Sequence, residues 1–295
     1  MYNQDMKSEK VTWRFGGREL ICDRPILVGV INVTPDSFSD GGRFFETLAA
    51  VEQARELVDE GADIIDVGGE STRPGSDPVD TPEELRRVIP VIRGIREAGI
   101  GVPISIDTRK FAVVKAAVEV GATIVNDVRA LRDDPEIADF CAETGVGVVL
   151  MHMQGTPKTM QDNPYYEDVI GEIGQFFESR MEFAISRGVK PEQIVLDPGI
   201  GFGKTVEHNL RIIRECGAWL KLGRPIMVGP SRKSFIGKIL DVGVDKRLNG
   251  TIGACVIALM NGARLFRVHD VRPVREALTV AYAAMTGEVE WAENV

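Results

Sequence analysis

Along the chain, short apolar runs alternate with longer segments whose apolar residues recur every three or four positions. The runs cover 26–31, 63–67, 104–106, 123–125, 146–151, 194–196, 226–228 and 264–268. Each is bounded by Gly or a polar residue, and most are rich in Val and Ile, the pattern of strands buried on both faces. The helical period runs through 47–59, 81–98, 110–120, 135–144, 166–187, 206–220, 234–260 and 271–285. Punctuation agrees: Thr81-Pro82-Glu83-Glu84 and Asp134-Pro135-Glu136 combine a cap, a Pro and acids at expected helix starts. Gly61, Gly99, Gly121, Gly145 and Gly188 follow expected helix ends.

Eight strand–helix units in succession imply a parallel sheet. Eight within 295 residues favour an α/β fold of the closed (β/α)8 TIM-barrel type over an open doubly wound sheet. Residues 10–24, with Val11, Trp13, Phe15, Gly16-Gly17 and Leu20-Ile21-Cys22, predict a short N-terminal β-hairpin that plugs the barrel floor. No low-complexity tract, charge block or Pro/Ser linker divides the chain, so the expectation is one domain over 1–295.

Composition narrows the classes. Hydrophobic residues make up 44%, charged residues 27% and aromatics 6%, which fits a globular core rather than a disordered or fibrous chain. With 35 basic and 44 acidic residues the net charge is −9, which argues against a nucleic-acid partner, since that needs a basic footprint to displace counterions. Cys22, Cys141, Cys216 and Cys255 are widely spaced and read as isolated buried thiols of a reducing compartment. The first ten residues are mostly polar, without an apolar leader core, and no stretch approaches 18 apolar residues, so the expectation is a cytoplasmic protein with no membrane partner.

A barrel of this kind builds its active site at the C-terminal strand ends. There stand Asn32, Gly69-Glu70, Asp107, Asn126-Asp127, His152, Asp197, Ser231-Arg232-Lys233, and Arg267 with His269. Any one of them can be a helix cap, but their convergence on one rim makes a polar cavity. Asp107, Asn126, Asp197 and Lys233 together offer acceptors, an amide and an ammonium, a set that matches a flat heterocycle bearing both donors and acceptors; a buried salt-bridge network is the alternative. Arg267 and His269 share a face of the last strand and, with Arg232 and Arg73, suit an anion, the alternative being a solvated charged rim. Met151 and Phe202 could wall an aromatic ring or simply be core. Gly199-Ile200-Gly201-Phe202-Gly203-Lys204-Thr205 imitates a P-loop, but Pro198 stands where that motif needs Gly, which leaves a Gly-rich barrel loop close-packed on a ligand. His152, His208 and His269 lack metal spacing, and His208 reads as a surface helix residue.

Seven motifs, in order, carry a resemblance. They are 32–41 (Asn-Val-Thr-Pro-Asp-Ser-Phe-Ser-Asp-Gly), 69–74 (Gly-Glu-Ser-Thr-Arg-Pro), 105–108 (Ser-Ile-Asp-Thr), Asn126-Asp127, 197–202 (Asp-Pro-Gly-Ile-Gly-Phe), 231–235 (Ser-Arg-Lys-Ser-Phe) and 267–270 (Arg-Val-His-Asp). Together, over about residues 13–286, the chain resembles the bacterial dihydropteroate synthase family. The resemblance implies condensation of 6-hydroxymethyl-7,8-dihydropterin diphosphate with p-aminobenzoate to give 7,8-dihydropteroate and diphosphate, with Mg2+ as cofactor. It also implies a homodimer through the late helices, and a target of sulfonamide analogues. Carried over, Asp107, Asn126, Met151, Asp197, Phe202, Gly229 and Lys233 would hold the pterin. Asn32, Thr72, Arg73, Arg267 and His269 would hold the diphosphate, Asn32 touching the metal. Phe38, Pro74 and Ser234 would border p-aminobenzoate, and Asp107, Lys233, Asp36 and Asp40 would serve catalysis. Two other readings stay open: a pterin-dependent methyltransferase acting with a corrinoid protein, and a catalytically silent pterin-binding barrel.

Overall fold

The computed structural model describes residues 11–34, 42–71 and 75–288, with backbone only at 42–45. Phe38, Asp36, Asp40, Thr72, Arg73 and Pro74 lie outside the described residues.

Two hairpin strands, β1 (Thr12–Phe15) and β2 (Arg18–Ile21), pair antiparallel with Trp13 opposite Leu20. The eight apolar runs then become β3 (Ile26–Asn32), β4 (Ile64–Gly68), β5 (Ile104–Asp107), β6 (Ile124–Asp127), β7 (Gly147–Met151), β8 (Ile194–Asp197), β9 (Met227–Val228) and β10 (Leu265–Val268). All pair in parallel, in the order β8-β7-β6-β5-β4-β3-β10-β9, and a parallel bridge from Leu196 to Ile226 nearly closes the ring. Around it lie α1 (Gly42–Asp59), α2 (Thr81–Glu97), α3 (Phe111–Glu119), α4 (Glu136–Thr144), α5 (Val169–Ser186), α6 (Val206–Glu215), α7 (Ser234–Leu240), α8 (Leu248–Met260) and α9 (Val271–Thr286). The expected barrel and hairpin are both present.

Alternation along each strand sorts side chains into two cores. Outward residues such as Leu27, Ile65, Ile106, Val148 and Phe266 join the helices in the larger cluster. Inward residues Ile26, Val28, Ile64, Ile124, Val149, Val195, Met227 and Leu265 form a separate layer at the bottom of the barrel, together with Trp13 and Phe15. The hairpin is the plug the sequence predicts. Trp13 is 1% exposed, and its indole N–H donates to the Gln193 carbonyl at 2.9 Å. Gly147 has no side chain because none fits: a Cβ there would stand 2.9 Å from Phe15 Cβ and 3.0 Å from the Trp13 ring.

The structure corrects some boundaries. The single helix expected over 234–260 is two, α7 and α8, because Asp241 turns left-handed at φ 54° ahead of Gly243 and a short 3-10 turn, Val244–Lys246. Asp tolerates that conformation better than a β-branched residue, so the chain breaks there. The break lets Arg247 pack against Gly237 and donate to the Arg232 carbonyl at 3.0 Å, supporting the loop after β9. The helix expected over 206–220 tightens to 3-10 geometry from Cys216. Asp80, rather than Thr81, caps α2, accepting from Glu83 N at 2.8 Å, and Asp134 caps α3 rather than α4, accepting from Phe111 N at 3.0 Å. All four cysteines are buried free thiols.

Candidate active site

At the C-terminal ends of the strands a pocket is lined by Asp107, Asn126, Met151, Asp197, Phe202, Gly229 and Lys233, joined by Val128, Gly199, Ile200 and Arg267. All seven residues expected to hold the heterocycle therefore meet in one cavity. They arrive from five strand ends: Asp107 closes β5, Asn126 lies on β6, Met151 closes β7, Asp197 closes β8, and Gly229 follows β9.

Inside, Arg267 bridges two carboxylates. Its Nε donates to Asp66 Oδ2 at 2.7 Å, and its Nη2 lies 2.7 Å from the same oxygen and donates to Asp107 Oδ2 at 2.8 Å. Burial works against the Arg267 charge, but Asp66 and Asp107 carry its pKa above the ordinary guanidinium value. Asp107 moves the other way: burial pushes it up to about 7 against the pull of Arg267, with Asp66, Glu84 and Asp127 adding to the rise. The two shifts are compatible because several carboxylates share one guanidinium, so the cation is firmly held while one acid is poised near neutrality. Asp197 accepts from Gly199 N at 2.7 Å, and burial pushes it up to about 6.

The apolar walls are Met151 and Phe202, which pack with Val128, Met153 and Met160 in a small cluster of their own. The Lys233 ammonium lies 4.1 Å from the centre of the Phe202 ring, a cation–π contact that stations it over the pocket. The glycine loop answers chiefly to the chain itself: a Cβ at Gly199, where φ is +66°, would come within 2.0 Å of the His152 carbonyl oxygen. That close approach seals the loop onto the end of β7 and leaves Gly199 and Ile200 on the pocket wall.

His269 lies two residues beyond Arg267, about 7 Å further toward the rim at strand rise. Its backbone N–H donates to Ser231 Oγ at 3.2 Å, and its Nδ1 is 3.0 Å from the same oxygen. Ser231 Oγ thus holds both the backbone and the ring of His269, whichever ring nitrogen carries the proton. Burial and the cations Arg267, Arg232 and Lys233 hold His269 down at about 4, so it is neutral at pH 7. His269→Ala is expected to weaken inhibition by diphosphate about tenfold, the loss of one charge-assisted hydrogen bond, with binding of a pterin lacking diphosphate unchanged. Titrating product inhibition checks it; unchanged inhibition removes His269 from the anion subsite.

Several of the other expected rim groups are engaged by neighbouring residues. Glu70 accepts from Lys110 at 2.6 Å and Arg109 at 3.3 Å, beside the pocket rather than in it. Asp127 accepts from Arg129 N and Leu131 N, both at 2.7 Å, and so caps the following turn. His152 packs against Phe176 and meets the buried Lys204 ammonium at 3.0 Å. Arg232 is engaged by Asp270 at 2.9 Å, and Ser234 opens α7 on the surface. Asn32 ends β3, half-buried. His208, expected on the surface, is half-buried; its Nδ1 accepts from Thr205 N at 3.2 Å, completing a reciprocal cap of α6. Two residues of the interior had no place in the sequence reading. Asp66 was hidden within an apolar run, and only its parity with Ile64 marks it as inward-facing. Lys204 figured only in the rejected P-loop comparison, and burial moves its ammonium down to about 7.

A family model described as pterin binding enzyme matches residues 28–269. The dihydropteroate synthase of Escherichia coli K12 is 45% identical over 272 residues, which is 92% of this chain and 96% of that one. The chain belongs to the dihydropteroate synthase family. Solved structures of family members agree in fold: the Xanthomonas albilineans enzyme with 4-aminobenzoic acid superposes with a TM-score of 0.86 at 43% identity, covering 93% of this chain and 99% of that one. The same enzyme with 7,8-dihydropteroate gives 0.82 at 40% identity, over 92% and 99%. Among the described residues of this family member, no helix is long and apolar enough to cross a membrane.

Proposed function

We infer that the protein is a transferase that joins 6-hydroxymethyl-7,8-dihydropterin diphosphate to p-aminobenzoate, releasing diphosphate and 7,8-dihydropteroate. The observation that carries this reading is the convergence of Asp107, Asn126, Asp197 and Lys233 on one pocket walled by Met151 and Phe202, with the neutral imidazole of His269 above it.

The chemistry follows from that arrangement. The CH2–O bond breaks with its electron pair leaving on the diphosphate, and the electron-rich dihydropterin spreads the positive charge left on the carbon. The Asp107 carboxylate, in a low-dielectric pocket, stabilises that charge as it forms. Asp107, Asp197 and Asn126 accept ring N–H groups, Lys233 donates to the ring carbonyl or nitrogen, and Met151 and Phe202 hold the ring plane. His269 and Arg267 meet the departing anion. The amine nitrogen of p-aminobenzoate then forms the C–N bond and sheds its proton, with no strong base required. By resemblance, Thr72 and Arg73 would serve the anion, Phe38, Pro74 and Ser234 the amine, and Asp36 and Asp40 the reaction at the carbon.

Among the described residues no group of three or more His, Cys, Asp and Glu side chains could cage a metal ion. By resemblance, the Asn32 side-chain oxygen would hold a Mg2+ ion that arrives with the diphosphate. Bound there, Mg2+ would neutralise charge on the leaving group. A homodimer through the late helices is the assembly we propose, supported by Ile239, Leu240, Val244, Ile257 and Val280, each 44–71% exposed. Sedimentation at micromolar concentration tests it. Free, buried thiols support a cytoplasmic setting.

Incubation with both substrates and Mg2+ is expected to give equal amounts of dihydropteroate and diphosphate. Methyl transfer from methyltetrahydrofolate to a corrinoid protein, without diphosphate release, would overturn the assignment. The pH dependence has a definite sign. Asp107 near 7 and Asp197 near 6 must lose their protons to accept ring N–H groups, so kcat/KM for the pterin should fall as pH drops through 7 to 6. Bound donors favour the ionised forms, so the acid limb of kcat should lie lower. A kcat/KM level down to pH 5 would remove the poised acids from the mechanism.

A further inference from the structure

Asp66 lies on β4 one layer below the pocket, between the plug residue Ile64 and Gly68, and is fully buried. It is absent from the pocket wall but holds two groups that form it. Its Oδ2 accepts from Arg267 Nε at 2.7 Å and from Asn126 Nδ2 at 3.4 Å. Among the described residues its Oδ1 has no hydrogen-bond partner, and neither does Asn126 Oδ1, although both atoms are buried. Both of these contacts of Asp66 go to residues of the pocket wall.

The arrangement makes sense through what it leaves available. A guanidinium prefers to meet a carboxylate as a two-pronged fork. With Asp66 engaging the Nε edge of Arg267, Asp107 receives only Nη2, on its Oδ2. Without the Asp66 charge, the fork would swing onto Asp107 and take both oxygens. Likewise, Asp66 accepts from the N–H2 end of Asn126, which leaves the amide oxygen as the acceptor this side chain still has to offer. We propose that Asp66 is a positioning residue that divides Arg267 between two carboxylates and orients Asn126, keeping one Asp107 oxygen and the Asn126 carbonyl free for the N–H donors of the bound heterocycle. This rests on the pterin reading of the pocket.

The charged groups around Asp107 are Arg267 on β10, Asp66 on β4, Glu84 on α2 and Asp127 on β6, and Arg267 also faces Asp197 on β8. Removing the Asp66 charge takes away one repulsion and hands Asp107 more of Arg267. Both changes favour the Asp107 carboxylate, so the acid limb of pterin binding should move to lower pH.

The test is Asp66→Asn in the full chain. Calorimetric affinity for 6-hydroxymethylpterin is measured from pH 5 to 8, beside KM for both substrates and a thermal melt. Expected are an affinity at least about tenfold weaker at pH 8, the size of one charge-assisted hydrogen bond, an acid limb displaced downward, and an unchanged KM for p-aminobenzoate. A lower melting temperature with pterin affinity and acid limb both unchanged would mean a merely structural carboxylate and overturn the proposal. If Asp66→Asn does not fold, Asp66→Glu keeps the charge but displaces it by one methylene: weakened pterin binding with the acid limb in place supports the proposal, and unaltered affinity overturns it. Absence of pterin binding by the unmodified protein would sink the functional reading instead.

Discussion

Replacing Asp107 with Asn is expected to lower kcat and kcat/KM together, by about 10^2–10^3-fold, the cost typical of removing one preorganised electrostatic partner of a transition state. The substitution preserves shape and one acceptor, so the ground-state complex keeps most of its contacts. What disappears is the negative charge facing the carbon at the moment it becomes positive. A rise in KM alone would assign Asp107 to binding and leave the cation without its counter-charge. The variant also removes one of the two carboxylates on Arg267, so its folded fraction should be checked by circular dichroism before rates are compared. Diphosphate release is the convenient readout, followed at saturating and at limiting pterin.

The second large effect is on stability. Trp13→Ala is expected to cost about 3–5 kcal/mol, the range for truncating a large, fully buried aromatic residue. Trp13 fills the lower barrel beside Phe15, with ring centroids 4.5 Å apart, and its N–H satisfies the Gln193 carbonyl. Removing it opens a void and leaves that acceptor unpaired in the same stroke. Urea denaturation should show an earlier midpoint with little change in slope. A loss below about 1 kcal/mol would mean that the hairpin is an ornament on a barrel that closes without it.

The architecture was legible in the sequence because a strand buried on both faces and a helix with one apolar stripe leave different periods, and eight repetitions of that contrast leave few topologies. The seven pterin-pocket residues were legible because parallel strands present their ends on one rim, whatever their separation in the chain. Depth was harder to read. Spacing put Arg267 and His269 on one face but could not say that the first reaches down to Asp66 and Asp107 while the second stops at Ser231. Asp66 is harder to read because it sits inside a strand rather than at its end; an acid in the run Ile64-Ile65-Asp66-Val67, in step with the inward Ile64, is the available signal. Helical periodicity continued through Asp241 because a left-handed residue leaves no trace in the spacing of apolar positions. Nothing in the sequence pairs Lys204 with His152, since their meeting depends on how the glycine loop folds back.

The buried indole at the foot of the barrel also governs traffic. With that end stopped by Trp13 and Phe15, a reactant reaches Asp107 from the strand ends. On the proposed reading the bicyclic reactant would then have to load before the amine, an order that product-inhibition patterns would reveal.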